Sequence, residues 1–350
     1  MKQSEPPPAQ QRFMTAWTTR GDGIANMERN QVPLPAPGPE EVLVKISALS
    51  LNYRDLLVIN GREGWKPPYP VVPLSDAVGR VVETGRNVTR FSVGSRVAPI
   101  FLPRWRTGPL TKDTYVNPTG GPINRGMLAD YVTIHQDEAV EIPAGLDDPH
   151  AATLPVAAVT AWHAVARRSR VQAGETVLIH GTGSVALFAL QFTLALGGVP
   201  IITSSSEEKL ARVRALGARH TINYAASRDV PAQVQACTAG VGADHVIETI
   251  GGENLNQSLK AVKIGGTISF IGLIAGTAAR INTYDFVSKN VTIHGIETGS
   301  REMFEEMTRV IEEHRILPVL DTTYSSDDVQ NALKHLEAGA AFGKIVILPG

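Results

Sequence analysis

Six residues in the middle of the chain, Gly181-Thr182-Gly183-Ser184-Val185-Ala186, have types and spacing suited to holding a phosphate. They form a G-x-G-x-x-A pattern, which brings backbone N–H groups against a pyrophosphate. Gly181 permits the tight turn, Gly183 lets the backbone approach the anion, and Ala186 allows helix and strand to pack closely. Ser184 and Val185 open a helix whose free N–H groups then face the anion. Two glycines in a loop can also make a turn and nothing more. The context favours the fingerprint: a β-prone run at 176–179 precedes it, a helical period follows, and a second strand at 199–203 ends about 20 residues on.

An NAD site would place an acidic residue at the end of that second strand, where this chain has Ser204-Ser205-Ser206. Hydroxyls and a nearby cation suit a 2′-phosphate, so Ser204, Ser205 and Lys209 favour NADP(H). Ser205 also fits as the cap of the next helix, with Glu208 as its capping-box partner, and Lys209 as a solvated helix residue. Glu207 or Glu208 reaching a ribose leaves NAD open.

The elements that must position this turn come from alternation of strand and helix. At residues 154–166 the apolar period changes from 2 to helical, and strands are expected at 221–224, 245–249, 267–271 and 291–295, with helices at 230–238 and 254–262 between them. Such alternation implies a doubly wound parallel α/β sheet with helices on both faces. Residues 13–149 instead read as short strands separated by Pro and Gly, an antiparallel, barrel-like region. Within it, 103–125 has no period, and a loop of that length in a compact domain is usually functional. Trp105 and Tyr115 make it a candidate lid over a substrate cleft. Two helices, 301–314 and 326–337, and a final strand at 344–348 are expected to rejoin the first region, since the apolar run KIVIL needs a sheet to complete.

The whole chain of 350 residues, 43% hydrophobic and 19% charged, can bury the core of two domains. A formal net charge of -1 gives no electrostatic footprint for nucleic acid or an anionic membrane, so the expected partner is a small-molecule substrate. The single cysteine, Cys237, excludes an internal disulfide framework and a cysteine-cluster metal site, which fits a cytoplasmic protein. The opening MKQSEPPPAQQ is polar and proline-rich, expected to fray, and reads as neither signal peptide nor anchor.

These stretches together resemble the medium-chain dehydrogenase/reductase superfamily, on its zinc-independent, quinone oxidoreductase-like side. SLNYRDLLVING resembles the family's first cleft segment, GRVVETGRNVTRFSVGSRV its sheet hairpin, RALGARHTINY the run from second helix to third strand, and GADHVIETIGG and GGTISFIG its fourth and fifth strands. The resemblance implies a GroES-like substrate domain, 1–150 with 300–350, a Rossmann domain, 151–299, and a homodimer. Where the zinc alcohol dehydrogenases carry a catalytic cysteine this chain has Asn52, and where they carry a His-Glu pair it has Ser75-Asp76. No two of the nine histidines stand at helix-neighbour spacing, so no metal is expected.

A reductase without zinc must stabilise negative charge on the substrate oxygen with hydrogen bonds and find a proton elsewhere. The resemblance puts Asn52 beside the nicotinamide and makes Asn52 and Tyr53 the catalytic candidates, although Asn52 also suits the cap of a turn. Related reductases often place a tyrosine a few residues on, where this chain has Leu57 and Glu63. Tyr53, Tyr115 or a water is then the proton donor. The resemblance also places Thr160 near the nicotinamide, Tyr224 near the adenosine phosphate, and Gly251, Gly272 and Leu273 at crevice-side strand ends. The resulting expectation is an NADPH-dependent reductase of a quinone or of an alkene conjugated to a carbonyl. The alternatives are metal-free carbonyl/alcohol interconversion and a cofactor-binding protein with little turnover.

Overall fold

A computed structural model describes residues 12–350, so the opening segment expected to fray lies outside the described residues. β1 (Phe13–Thr18) and β2 (Glu28–Pro33) form an antiparallel hairpin. β3 (Glu41–Ser50) is the long strand of the first sheet, and it delivers the chain to a short helix, α1 (Tyr53–Ile59). β4 (Asp76–Thr84), β5 (Arg96–Pro99), β6 (Tyr131–His135) and β7 (Ala139–Glu141) follow, all antiparallel to their neighbours in this sheet. Val42, Val44, Ile46, Val81, Val97, Val132 and Ile134 fill its interior. Between β5 and β6 the stretch 103–125 contains neither helix nor strand, as its lack of a period implies.

α2 (Asp148–Ala151) leads into a continuous helical stretch whose middle is α3 (Val159–Trp162), flanked by wide π turns at Leu154–Ala158 and His163–Ser169. There follow β8 (Thr176–His180), α4 (Ser184–Ala195), β9 (Val199–Ser204), α5 (Glu207–Ala215), β10 (His220–Asn223), α6 (Val230–Cys237), β11 (Ala243–Glu248), α7 (Asn254–Ala261), β12 (Val262–Phe270), α8 (Thr283–Ser288) and β13 (Thr292–Gly295). All six strands are parallel, in the order β10-β9-β8-β11-β12-β13. That is the doubly wound dinucleotide-binding order, whose switch point lies between β8 and β11. Along β8, Val177 and Ile179 pack with Phe188, Phe192 and Ile247 on one face, and Leu178 packs with Ile201, Val246 and Ile268 on the other. An apolar run such as Val177–Ile179, buried on both faces, is what a central parallel strand requires.

The chain then returns to the first sheet. α9 (Arg301–Glu313) is followed by β14 (Leu320–Ser325), a single turn at Ser326–Asp328, α10 (Val329–Glu337) and β15 (Lys344–Leu348). β15 lies between β14, to which it is parallel, and β3, to which it is antiparallel. The expected strand KIVIL is therefore internal, and the edge is β14. Its polar sequence LDTTYS gives no apolar alternation to read, and the short, exposed α8 gives little more.

Candidate active site

The glycine turn sits at the switch point. Gly181 has φ +80°, a left-handed conformation that favours glycine, and its N–H donates to Thr203 Oγ1 at 3.2 Å. Gly183 is the N-cap position of α4, and no heavy atom lies within 4 Å of where a Cβ would stand. Among the described residues no side chain caps this helix, so the first-turn N–H groups around Ser184 and Val185 face an open cradle. Ala186 is buried against the core, as close packing of helix and strand demands.

A buried polar network lies directly beneath. His180 Nε2 meets Ser258 Oγ at 3.0 Å, and Ser258 donates to Glu248. Glu248 also accepts from the N–H groups of Ile250 (2.8 Å) and Gly251 (3.0 Å) and from Asn254 Nδ2 (2.8 Å). One fully buried carboxylate thus fixes the loop after β11. Gly251 and Gly272 approach so closely that a Cβ on Gly251 would lie 2.2 Å from the Gly272 carbonyl oxygen, which explains both glycines without any ligand. Leu273, next to them, is exposed.

At the end of β9, Ser204 is buried and its Oγ accepts the Ser206 N–H at 3.2 Å, while Ser205 is exposed. The helix cap is Ser206, which accepts from the Lys209 N–H at 3.2 Å, and not Ser205 as the sequence suggested. β9 runs one residue further than expected, which moves the cap along with it. The Lys209 ammonium donates to the carbonyls of Ala340 (2.8 Å) and Ala341 (3.2 Å), so it is a tie to the C-terminal segment and not a solvated cation. Glu207 is held by Arg214 Nη2 at 2.6 Å and Asn223 Nδ2 at 3.3 Å, which keep its carboxyl below the usual range. Tyr224, partly exposed, hydrogen-bonds through its N–H to the Ser204 carbonyl at 3.1 Å.

At the expected reacting end, Asn52 stands at the N-cap position of α1, and Asp55 accepts its backbone N–H at 2.8 Å. Its side chain has other work. Oδ1 accepts from Lys344 Nζ at 2.8 Å and Nδ2 donates to Ser75 Oγ at 3.3 Å. Lys344, 1% exposed, also donates to the Leu51 carbonyl (2.8 Å) and to Asp76 Oδ2 (3.1 Å), and Ser50 Oγ donates to the same carboxylate oxygen at 3.0 Å. Arg54 bridges Asp55 (2.9 Å) and the Gly120 carbonyl (2.8 Å), with its guanidinium over the rings of Trp65 and Phe101. Burial raises the Asp55 carboxyl above the ordinary carboxylate range, against the pull of Arg54. Tyr53 is half exposed on the first turn of α1.

This donor set does not fit a zinc ion. The positions matched to metal ligands hold an amide and a Ser-Asp pair, and an ammonium already bonds to both Asn52 and Asp76. Lys344 and Asp55 were not singled out in the sequence. A lysine ahead of four apolar residues looks like the solvated start of a strand, and only the third dimension puts it at Asn52.

On the opposite wall, the Thr160 hydroxyl donates to the Val156 carbonyl at 2.7 Å within its own helix. One turn on, His163 Nδ1 donates to the carbonyls of Glu297 (3.1 Å) and Thr298 (2.9 Å) and its Nε2 accepts from Arg168 at 3.1 Å; burial lowers its pKa. Trp105 packs edge-on against His163, 1% exposed, with its indole N–H on the Gly108 carbonyl at 2.9 Å. It is a core anchor of the long loop and not a wall of an open cleft, a correction to its expected place. Tyr115, on the same loop, is half exposed, and its phenol lies within the field of Glu297.

With this geometry in place, the likenesses to known proteins are consistent. Residues 38–144 match the model of an alcohol dehydrogenase GroES-like domain, and residues 184–313 that of a zinc-binding dehydrogenase. The chain is 38% identical over 315 residues to a zinc-type alcohol dehydrogenase-like protein of Schizosaccharomyces pombe, covering 88% of this chain and 91% of that one. It is 26% identical both to an acryloyl-coenzyme A reductase of Sulfurisphaera tokodaii (91% of this chain, 95% of that one) and to a quinone oxidoreductase of Rattus norvegicus (91% and 92%). A crystal structure of a putative alcohol dehydrogenase from Sinorhizobium meliloti superposes with a TM-score of 0.91 at 39% identity, over 97% of this chain and all of that one. The chain belongs to the medium-chain dehydrogenase/reductase superfamily, with a GroES-like unit and a Rossmann-like parallel sheet. It is accordingly an oxidoreductase that uses a nicotinamide cofactor.

Two predictions follow from the buried groups. Lys344→Met leaves Asp76 unpaired in the interior and should destabilise the fold by ~3–5 kcal/mol in urea denaturation, part of which Asp76→Asn should restore in the double variant. An unchanged midpoint in the single variant would mean that the pair is solvated. His163 and His180 are held neutral by burial, whereas in the unfolded chain each protonates near ~6.5. The unfolded state therefore binds more protons below that pH, and stability should be complete above it and fall as the pH drops from about 6.5. The melting temperature between about pH 7.5 and 5.5 checks this, and an equal slope in the His163→Asn/His180→Asn variant would clear the histidines of it.

Proposed function

We propose that the chain is an NADPH-dependent, metal-independent reductase that transfers hydride to a quinone or to an alkene conjugated to a carbonyl. The observation that carries this reading is the ammonium of Lys344 on Asn52 and Asp76, where a metal-dependent relative would need open ligands. The relatives named as a quinone oxidoreductase and an acryloyl-coenzyme A reductase support the substrate class. The S. meliloti structure, described as a putative alcohol dehydrogenase, favours carbonyl/alcohol interconversion as the second reading.

Bound at the glycine turn, the reduced nicotinamide cofactor supplies a hydride. The residues of the chain bind and orient. The Gly181–Val185 turn receives the pyrophosphate on its N–H groups, and Ser204, Ser205 and Tyr224 line the adenosine end, where the Glu207 carboxylate is engaged by Arg214. Asn52 retains one N–H beyond its bond to Ser75, and with the Lys344 charge behind it that amide stabilises negative charge on a substrate oxygen. Thr160 and the turns at Gly251, Gly272 and Leu273 flank the nicotinamide end, and Tyr115 and the 103–125 loop cover the substrate. Tyr53 and Tyr115, both half exposed, remain with a bound water the candidates for proton donor.

The substrate unit in this reading spans 1–150 and 300–350, and the cofactor unit 151–299. A cytoplasmic homodimer completes the proposal. β13 is the edge of the six-stranded sheet, and Ile264, Ile274, Tyr284 and Val287 near that edge are largely exposed.

Ser205 is the exposed position at which to test the cofactor. Ser205→Asp should weaken NADPH by about 1.5–3 kcal/mol, through a lost donor and an added repulsion, and leave NADH nearly unchanged. Titration of both nucleotides against the wild type measures it, and a wild-type preference for NADH would overturn the assignment. Following NADPH absorbance with quinones, enones and aldehydes separates the two substrate readings.

A further inference from the structure

The buried network beneath the glycine turn reaches further than the loop that Glu248 fixes. β9, β8 and β11 lie side by side, with Thr203 opposite His180 and Ile247 opposite Ile179. Thr203, His180 and Glu248 therefore stand at the adjoining ends of three strands, on the side where ligands bind in a doubly wound sheet. All three are buried, as is Ser258 of α7. Thr203 Oγ1 accepts the Gly181 N–H at 3.2 Å and lies 3.4 Å from His180 Nδ1. On the other side of the ring, His180 Nε2 meets Ser258 Oγ at 3.0 Å, and Ser258 donates to Glu248, which holds the N–H groups of Ile250 and Gly251. One continuous chain of hydrogen bonds thus runs from the glycine turn to the loop after β11. The Thr249 hydroxyl donates to the His180 carbonyl and fixes the backbone at its centre.

The protons along this chain have one consistent order. Glu248 receives four donors, the N–H groups of Ile250 and Gly251, Asn254 Nδ2 and Ser258 Oγ, so it acts as an acceptor only. With its own proton turned to Glu248, Ser258 accepts from the imidazole, which puts the histidine N–H on Nε2. A neutral imidazole carries one N–H, so Nδ1 is an acceptor and takes the Thr203 O–H. The Thr203 oxygen is then left to receive the Gly181 N–H. Burial holds the His180 ring neutral against the pull of Glu248, whose Oε2 lies 3.8 Å from Nε2. The other groups set against the ring, Thr203 from β9 and Ser258 from α7, carry no charge.

We propose that His180 is a positioning residue for the nicotinamide cofactor. As the Nε2–H tautomer it orients the Thr203 hydroxyl that holds the Gly181 N–H, and through Ser258 and Glu248 it holds the loop after β11. Both sides of the switch point are thereby ordered before the cofactor arrives, which removes part of the ordering that binding would otherwise require. This rests on the reading of the glycine turn as the pyrophosphate site. His180 is 2% exposed and acts through its neighbours, so its contribution lies in affinity and not in a chemical step. Cutting the chain at Ser258, on α7, should therefore weaken binding at a turn that Ser258 does not itself hold.

The test titrates the full-length protein with whichever of NADPH and NADH the wild type binds more tightly. Thr203→Val and Ser258→Ala should each raise the dissociation constant about three- to tenfold, and the double variant should lose less than the product of the two, because both act through one imidazole. His180→Asn, whose amide ends at the level of Nδ1, cuts the chain at Ser258 and should lose at least as much as Ser258→Ala. A merely structural role would lower the melting temperature of these variants and leave the affinity of the folded protein unchanged, and that result would overturn the proposal. Gly183, at φ −76° with open space where a Cβ would stand, tests the underlying reading separately. Gly183→Val should abolish binding with the fold intact by circular dichroism; unchanged binding there would refute the glycine turn as the site, and this inference with it. Unchanged binding in the network variants alone would refute only this inference. Nitrogen NMR of isotope-labelled histidine reads the ring without any variant failing to fold. One neutral Nε2–H imidazole, still neutral about one pH unit below the ordinary histidine range and shifted by the cofactor, supports the assignment. A charged ring or an Nδ1–H tautomer in its place at neutral pH contradicts it.

Discussion

An ammonium with almost no access to water survives in a protein only when each of its protons has an acceptor and its charge has a partner. Lys344 meets both conditions with three acceptors: the Leu51 carbonyl, Asn52 Oδ1 and Asp76 Oδ2. These come from the end of β3 and the start of β4, while the lysine opens β15. Ser50 and Asp76 stand directly opposite in the β3–β4 register, and Ser50 also faces Val346 of β15. The charge network and the closing of the first sheet are therefore one arrangement. It fixes the mouth of the crevice at the point where Asn52 emerges.

The same C-terminal segment reaches the cofactor side. Gly343, immediately before Lys344, forms a parallel bridge with Gly183 of the phosphate turn. Lys209 holds the carbonyls of 340 and 341, and Arg212 lies 3.8 Å above the Phe342 ring. Residues 340–344 thus run from α5 past the glycine turn to the buried ammonium. One short segment therefore touches both the glycine turn and the buried ammonium.

Local features of the fold were legible in the sequence. The glycine turn, the buried run of β8 and the strand–helix alternation each depend on neighbours within a few residues, and the structure has them within one or two positions, except that β12 begins five residues before the expected strand. Features set by distant chain were not. The cap moved from Ser205 to Ser206 because β9 pairs with β10 through Ser204. Trp105 looked like a cleft residue because it sits in an aperiodic loop, yet its ring is packed on His163. Lys344 and Asp55 carry no signal in one sequence, since a charged residue usually faces solvent.

The central claim is that the charge at Asn52 and Asp76 is supplied by Lys344 and not by a metal. Its most direct test is elemental analysis of the active enzyme, with turnover followed before and after chelation. The account predicts well under one zinc per chain and undiminished NADPH oxidation after chelator treatment. One tightly bound zinc per chain, whose removal abolishes turnover and whose return restores it, would contradict it.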